Sequence, residues 1–217
     1  MSAPSEELSP QFHVAHHFDK ADTQFEANKL GVWLFLTTEI LLFGGLFCAF
    51  FIFREKYLPG FVEGHHHLDK IMGSINTCAL IASSLTMALG VRSAQQSKKN
   101  ATVAFLFLTL LLAGVFLVIK YFEYSHKFHE GLLPGKYFTG QMVHHAVPTF
   151  FSVYFMMTGI HGIHVVIGMG LITWVLIRAS KNQFSSRYYW PVEGVGLYWH
   201  LVDLIWIYLF PLLYLVG

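Results

Sequence analysis

The chain has 217 residues, of which 54% are hydrophobic, 17% aromatic and only 12% charged, and its formal net charge is +1. Since a soluble domain carries roughly 25% charged residues, this composition excludes an ordinary soluble fold and is typical of a chain that lies in lipid. The charge excludes the basic surface of a nucleic-acid-binding protein, and the two cysteines, Cys48 and Cys78, each inside an apolar run, exclude a disulfide framework or a thiolate metal site.

The N-terminal segment differs in composition from everything that follows it. Residues 1–28 are polar, carry charges of both signs and contain no apolar core of the kind found in a cleavable signal peptide. We interpret this segment as a mobile tail that precedes a membrane domain over residues 29–217. The first apolar run of that domain covers residues 30–53, and its only charge is Glu39.

Four more apolar runs follow in chain order. Residues 71–91, 101–119 and 146–177 contain no Asp, Glu, Lys or Arg, and residues 194–217 contain only Asp203. Each run reaches the length of about 20 residues that crosses a bilayer, and a helix satisfies the backbone hydrogen bonds that lipid cannot. Short connections favour antiparallel neighbours. The sequence therefore predicts an all-α, polytopic membrane bundle of five transmembrane helices.

The Lys and Arg residues near the span ends indicate an orientation. Eight lie on the side of the N-terminus and five on the opposite side, so the positive-inside rule predicts a cytoplasmic N-terminus. The two groups are Lys20, Lys29, Arg92, Lys98, Lys99, Arg178, Lys181 and Arg187, against Arg54, Lys56, Lys70, Lys127 and Lys136.

Small residues repeat along the second span at every fourth position, which places them on one helix face. A stripe of small side chains lets another backbone approach closely in lipid. Because the first span has small pairs at the same spacing, we expect close contact between the first two spans, and we expect a second seam at the glycines of the fourth span. The stripe is Ser74, Cys78, Ala82, Thr86 and Gly90, and the glycines are Gly159, Gly162, Gly168 and Gly170.

Glu39 lies nine residues into the first span, at a depth of about 14 Å for a rise of 1.5 Å per residue. An ionisable group at that depth costs at least a few kcal/mol unless something compensates it. We therefore expect that Glu39 is protonated, or that it pairs with a polar group of another helix or with a lipid headgroup. In the third span, Glu123 is expected to pair with Lys120 or to reach outward with it.

The last two spans carry polar residues three positions apart: His161 with His164, and His200 with Asp203. A catalytic haem or copper site in a bundle draws several histidines from different spans, and these three are the only histidines that the spans supply. We therefore predict a His–carboxylate network between the last two helices and no metal site. Histidines of the tail and loops are interpreted as surface residues: His13, His16, His17, His65, His66, His67, His144 and His145.

Several stretches together resemble subunit III of the haem-copper respiratory oxidases, over residues 29–217. Trp33 to Glu39, the residues 43–51 after it, and the pairs Asn76-Thr77 and Ser83-Ser84 resemble the paired helices that carry the buried glutamate of that subunit. The later helices are matched by Lys120 to Tyr124, Thr158 to Gly168, Tyr198 to Asp203, and Trp206.

The resemblance implies a non-catalytic membrane subunit that packs beside subunit I, which holds the haems and copper, in a complex that includes subunit II. It implies two groups of spans around a lipid-filled cleft, support of proton uptake, and protection of the partner during turnover. Glu39 would be the cleft carboxylate, and Arg178 and Lys181 would contact the phosphate of a bound phospholipid. The longer members have seven spans, so the chain resembles the five-span form of the bacterial inner membrane.

Two other functions stay open at this point. One is an accessory membrane subunit of a nitric oxide reductase, which shares much of the pattern. The other is a small proton-linked transporter, because intramembrane Glu, His and Asp residues can relay protons, although such transporters usually show internal repeats and interrupted helices. The resemblance leaves cytochrome c and quinol equally open as the electron donor.

Overall fold

A computed structural model describes residues 21–134, 137–140, 145–186 and 188–215. Within these ranges six α-helices follow one another, and five of them are long and apolar enough to cross a membrane. The predicted all-α bundle of five spans is confirmed. The helices are α1 (Ala21–Lys56), α2 (Leu58–His66), α3 (Lys70–Gln95), α4 (Lys99–His129), α5 (Val147–Ser180) and α6 (Trp190–Phe210), which continues into a π-helical turn, Pro211–Leu215.

Helix α1 begins at Ala21, ahead of the predicted first span. The rest of the predicted tail, residues 1–20, lies outside the described residues, so its mobility stays a prediction. The N-terminal orientation also stays a prediction.

Two of the turns between spans have the same local structure. After α3, Ser97 takes a positive φ of 57°, and after α5, Asn182 takes a φ of 56°. In each case the following residue donates its backbone N–H to a carbonyl of the last helical turn, Lys98 to Ser93 and Gln183 to Arg178. This turn satisfies backbone carbonyls that the end of a helix leaves unpaired. It therefore ends both helices, α3 and α5, on the same side of the bundle.

The connection between the first two spans is partly helical, where the sequence indicated only a turn. Pro59 lies in the first turn of α2, where its missing N–H costs nothing. A side chain at Gly60 would approach the Ala146 carbonyl carbon to 2.7 Å, and one at Gly64 would overlap the Phe150 ring. The glycines therefore allow α2 to pack closely against the start of α5.

The predicted contact between the first two spans is wrong. Helix α3 packs against α4 and α6, whereas α1 packs against α2, α5 and α6. Only residues 96–98 separate α3 from α4, so these two helices form a hairpin, while α2 leads the chain from α1 towards α5.

Only part of the small-residue stripe of α3 packs against another helix. Thr86 and Gly90 are buried against α4, where the Thr86 and Thr109 hydroxyl oxygens lie 2.8 Å apart. Ser74, Cys78 and Ala82 are exposed. The buried side of the middle of α3 is marked by Leu80, which is exposed by only 1%.

Of the four glycines in α5, only Gly168 forms a seam. A side chain there would come within 2.7 Å of the Trp199 ring of α6. Gly159, Gly162 and Gly170 would have no atom within 4 Å of an added Cβ, so they face outward and the prediction for these three is wrong. Gly168 thus fixes how closely α5 and α6 approach each other.

Candidate functional site: buried polar groups between the spans

Glu39 and His164 join α1 to α5 at membrane depth. The Glu39 Oε2 atom lies 2.9 Å from His164 Nε2, and each side chain is 14% exposed. The other ring nitrogen, Nδ1, lies 2.8 Å from the carbonyl oxygen of Ile160 and must carry a hydrogen to bond there. A carboxylate facing an unprotonated Nε2 would be repulsive, so one proton lies between the two groups.

This geometry makes the Glu39–His164 pair electrically neutral. A carboxylic acid beside a neutral imidazole and a carboxylate beside an imidazolium both sum to zero. Phe43 packs edge-on to the His164 ring, with the ring centroids 5.2 Å apart, and the Tyr198 hydroxyl donates to the His164 carbonyl at 3.2 Å. A neutral, hydrogen-bonded pair is the form in which a glutamate is tolerated at this depth.

An apolar groove of about 350 Å³ lies between α1, α5 and α6, on the side of the bundle where Ser97 and Asn182 form the turns described above. Its walls include Val32 and Phe35 of α1 and Leu171 and Trp174 of α5, and Arg178 lines it as well. We call it the Arg178 groove. Ile167, one turn from His164, also lines it, so the groove and the Glu39–His164 pair are neighbours.

Arg178 is held in place by aromatic rings. Its guanidinium carbon lies 5.0 Å from the Trp174 ring centroid, 5.3 Å from that of Phe184 and 5.7 Å from that of Tyr188. Its Nε donates to the Gln183 side-chain oxygen at 2.8 Å. Lys181 is exposed at the end of α5 and does not line the groove. Of the two predicted phosphate contacts, Arg178 alone lies at the groove.

Glu123 is the centre of a second buried group, which we call the Glu123 cluster: Lys120, Glu123, Lys127, Tyr154 and Tyr214. Lys120 Nζ lies 2.8 Å from Glu123 Oε2, and Lys127 Nζ lies 3.4 Å from Oε1. Tyr154 and Tyr214 donate their hydroxyls to Oε1 at 2.8 Å and 2.6 Å. The local pairing of Lys120 with Glu123 is observed, and Lys120 does not reach outward.

The sequence reasoning missed three members of this cluster. Lys127 follows Glu123 by four positions, a spacing that places both on one helix face and was a usable signal. Tyr154 and Tyr214 come from α5 and the C-terminal turn, and no sequence spacing relates them to α4. Lys120 Nζ also lies 4.6 Å from the Trp206 ring centroid, so the ammonium is enclosed by α4, α5 and α6.

A polar cavity of about 580 Å³ reaches the Glu123 cluster from the end of α4. Its lining includes the buried Glu123 and Lys127, together with His66, Asp69 and His126. The Asp69 carboxylate already accepts a hydrogen bond from the backbone N–H of Ile71 at 2.8 Å.

The predicted His–carboxylate network between the last two helices is not formed. His164 pairs with α1, and His200 Nδ1 lies 2.7 Å from the Ser84 hydroxyl of α3. His161 is fully buried between the Phe116 and Trp206 rings, at centroid distances of 5.6 Å and 5.1 Å. Its nitrogens and the Asp203 oxygens have no hydrogen-bond partner among the described residues.

The histidines of the first loop are not all at the surface. His65 is buried, and its Nδ1 donates to the Leu213 carbonyl at 3.2 Å. His66 and His67 line the polar cavity, whereas His13, His16, His17 and His144 lie outside the described residues. In the part of the chain that the structure describes, no three His, Cys, Asp or Glu side chains are placed to hold a metal ion.

The chain was compared with known proteins, and the matched range includes all of the site residues described above. The family described as cytochrome c oxidase subunit III matches residues 12–217. The quinol oxidase subunit 3 of Bacillus subtilis (strain 168) is 30% identical over 211 residues, which span 94% of this chain and 97% of that protein. The probable quinol oxidase subunit 3 of Staphylococcus haemolyticus (strain JCSC1435) is 30% identical over 207 residues, spanning 94% and 96%. That of Staphylococcus aureus (strain USA300) is 28% identical with the same coverage.

Proposed function

This chain belongs to the cytochrome c oxidase subunit III family, in its five-span form, and on that premise we propose its role in the oxidase. It is the non-catalytic subunit III of a proton-pumping haem-copper terminal oxidase in the inner membrane of an aerobic bacterium. It packs beside subunit I, which holds the haems and copper, in a complex that also contains subunit II, and it stabilises subunit I during turnover.

The Arg178 groove is the observation that carries the lipid part of this proposal. Its walls are apolar along the bundle and a guanidinium lies at its end, which matches a phospholipid with its acyl chain in the groove and its phosphate at Arg178. An arginine bonded to a phosphate forms charge-assisted hydrogen bonds, which are stronger than neutral ones. Lys181, exposed three residues further along, adds positive charge near the same headgroup.

The Glu39–His164 pair supports the part of the proposal that concerns protons. It holds one proton between two helices at membrane depth, next to the lipid groove. A stored proton at that position assists proton uptake by subunit I without requiring that this chain carry out any redox step.

The test uses the native complex, purified through a tag on this chain and assayed for oxygen consumption with quinol and with reduced cytochrome c. Glu39→Gln keeps a hydrogen bond to His164 but removes the shared proton, and Arg178→Ala removes the groove's cation. We expect initial rates near those of the wild type, faster loss of activity over many turnovers, and less phospholipid co-purifying with Arg178→Ala. Lys181→Ala should show the same effects more weakly, and Lys99→Ala, an exposed change, serves as the control.

Three results would contradict the proposal. A chain that does not co-purify with haem and copper subunits has a different function. An assembled Glu39→Gln complex with only background activity would show that Glu39 takes part in the reaction itself. Unchanged lifetimes and unchanged lipid content in Arg178→Ala and Lys181→Ala would remove the lipid role.

A further inference from the structure

His200 presents an unusual polar atom at the outer surface of the bundle. It is the eleventh residue of the span Trp190–Leu215, about 15 Å from the start of that span at 1.5 Å per residue. Its Nδ1 is bonded to Ser84, near the middle of α3. No described residue is hydrogen-bonded to its Nε2, and the His200 side chain is partly exposed.

The other two histidines near the middle of the spans differ from His200 in this respect. His164 uses both ring nitrogens, one for Ile160 and one for Glu39. His161 is fully enclosed between aromatic rings. Among the histidines near the middle of the described spans, His200 is therefore the one that is partly exposed and has a ring nitrogen without a hydrogen-bond partner.

Apolar side chains lie on the same side of α3 and α6 as His200. Ile81 of α3 precedes Ser84 by three positions, and Leu204 and Ile207 of α6 follow His200 by four and seven, so all three share its side of the two helices. They are about half exposed. We call this surface the His200 face. Lipid tails offer no hydrogen bond at that depth, and an unpaired polar group in hydrocarbon is unfavourable.

A buried carboxyl group lies behind the His200 face. Asp203 is 2% exposed, and both of its oxygens lack a hydrogen-bond partner among the described residues. The neighbouring Ser83 hydroxyl already donates to the Leu80 carbonyl at 2.7 Å. A buried carboxyl group without a hydrogen-bond partner among the described residues thus lies three positions after His200, on the same side of α6.

We propose that the His200 face docks a transmembrane helix of another oxidase subunit, which offers a hydrogen-bonding side chain to His200 Nε2 at mid-membrane depth. The inference rests on the proposed function, because it requires an assembled oxidase. Hydrogen bonds between transmembrane helices contribute favourably to their association, and a helix supplies at this depth the polar partner that an acyl chain lacks.

Photo-crosslinking in native membranes tests the surface directly. Benzoylphenylalanine is introduced at Leu204, on the His200 face, and at Val166, an exposed residue of α5 on another side of the bundle. We expect the Leu204 probe to form a covalent adduct with another oxidase subunit, identified by mass spectrometry, and the Val166 probe to label lipid. Adducts of the Leu204 probe with lipid alone, or with a second copy of this chain, overturn the proposal.

A second measurement separates docking from internal structure. His200→Leu removes the outward nitrogen, His200→Gln restores a hydrogen-bonding group, and Ser84→Ala removes only the internal bond. We expect His200→Leu to increase dissociation of this chain from the complex several-fold in rising detergent, with His200→Gln and Ser84→Ala near the wild type. Equal retention of all variants overturns the docking role while the chain still co-purifies with the oxidase. Failure of the wild-type chain to co-purify would instead overturn the proposed function.

Discussion

The single carboxylate of Glu123 lies within ion-pair distance of two buried lysines. Lys120, Lys127 and Glu123 are all buried, so the cluster carries one positive charge in excess inside the bundle. The two tyrosine hydroxyls donate hydrogen bonds to Glu123 and stabilise its negative charge. Removing one partner of a buried ion pair is far more costly than removing the whole pair.

Glu123→Gln should therefore be among the most destabilising single changes in this protein. It leaves two buried ammonium groups without a counter-charge, and we expect a loss of about 3 to 5 kcal/mol, measured by unfolding of the purified chain in detergent. Lys127→Gln is the matched control, because it leaves Lys120 and Glu123 as a balanced pair. Equal losses in the two variants would contradict the role given to Glu123.

His65 makes the docking of α2 sensitive to pH. Burial lowers the pKa of His65, and the nearby Lys70 and His66 lower it further, although its bond to the Leu213 carbonyl acts in the opposite direction. The unfolded chain thus takes up the proton first as pH falls. The contribution of neutral His65 is complete above the unfolded pKa of about 6.5 and is lost progressively below it.

His65→Asn should reduce this pH dependence. The asparagine amide can still donate to Leu213 but does not titrate. We expect the wild-type chain to lose more thermal stability between pH 7.5 and pH 5.5 than the variant does, with both measured in the same detergent. The other histidines titrate in both proteins and cancel in the comparison. A larger pH effect in His65→Asn would contradict the assignment.

At the scale of helices, Gly168 shows which small residue matters. The repeat of small residues along α3 and α5 correctly indicates that backbones approach closely somewhere, but the repeat does not identify the face that is used. Gly168 lies against the Trp199 ring, and Gly170, two positions later, faces open space. Close packing of α5 against α6 therefore depends on a glycine lying opposite the bulky Trp199 side chain.

Gly168→Ala and Gly170→Ala form a matched pair. The added Cβ at position 168 would lie 2.7 Å from the Trp199 ring, and overpacking of this kind costs about 1 to 3 kcal/mol. At position 170 the change is expected to be neutral or slightly stabilising, since alanine favours a helix over glycine by about 1 kcal/mol. Unfolding in detergent measures both. A loss at position 170 as large as that at 168 would contradict the seam.

In the molecule as a whole, the apolar runs specify the number of spans but not which spans are neighbours. The number of spans follows from length and composition, since each run is long enough to cross and lipid permits helices. The neighbours of each span do not follow, because helices that are apolar on every side give no pattern for choosing a partner. The depth of Glu39 predicts a compensating group without identifying it, and the polar group beside it, His164, is 125 positions away.

The orientation in the membrane is a property of the whole chain. With five spans, the positive-inside bias predicts a cytoplasmic N-terminus and an external C-terminus. Alkaline phosphatase fused to the C-terminus should be active, and green fluorescent protein at the same site should be dark. Fusions after Gln183, in the loop that follows α5, should behave in the opposite way. Bright fluorescence from the C-terminal fusion would reverse the orientation.

The Glu39–His164 pair also has a consequence for synthesis. The ribosome makes α1 first, and His164 follows Glu39 by 125 residues. At a synthesis rate of about 5 to 20 residues per second, the two groups are separated by on the order of ten seconds. The leading span therefore enters the translocon before its histidine exists, and its carboxyl group adds an insertion cost of about 2.5 to 3.5 kcal/mol. The many leucine and phenylalanine residues of α1 must carry the span into the bilayer alone, before the rest of the chain arrives.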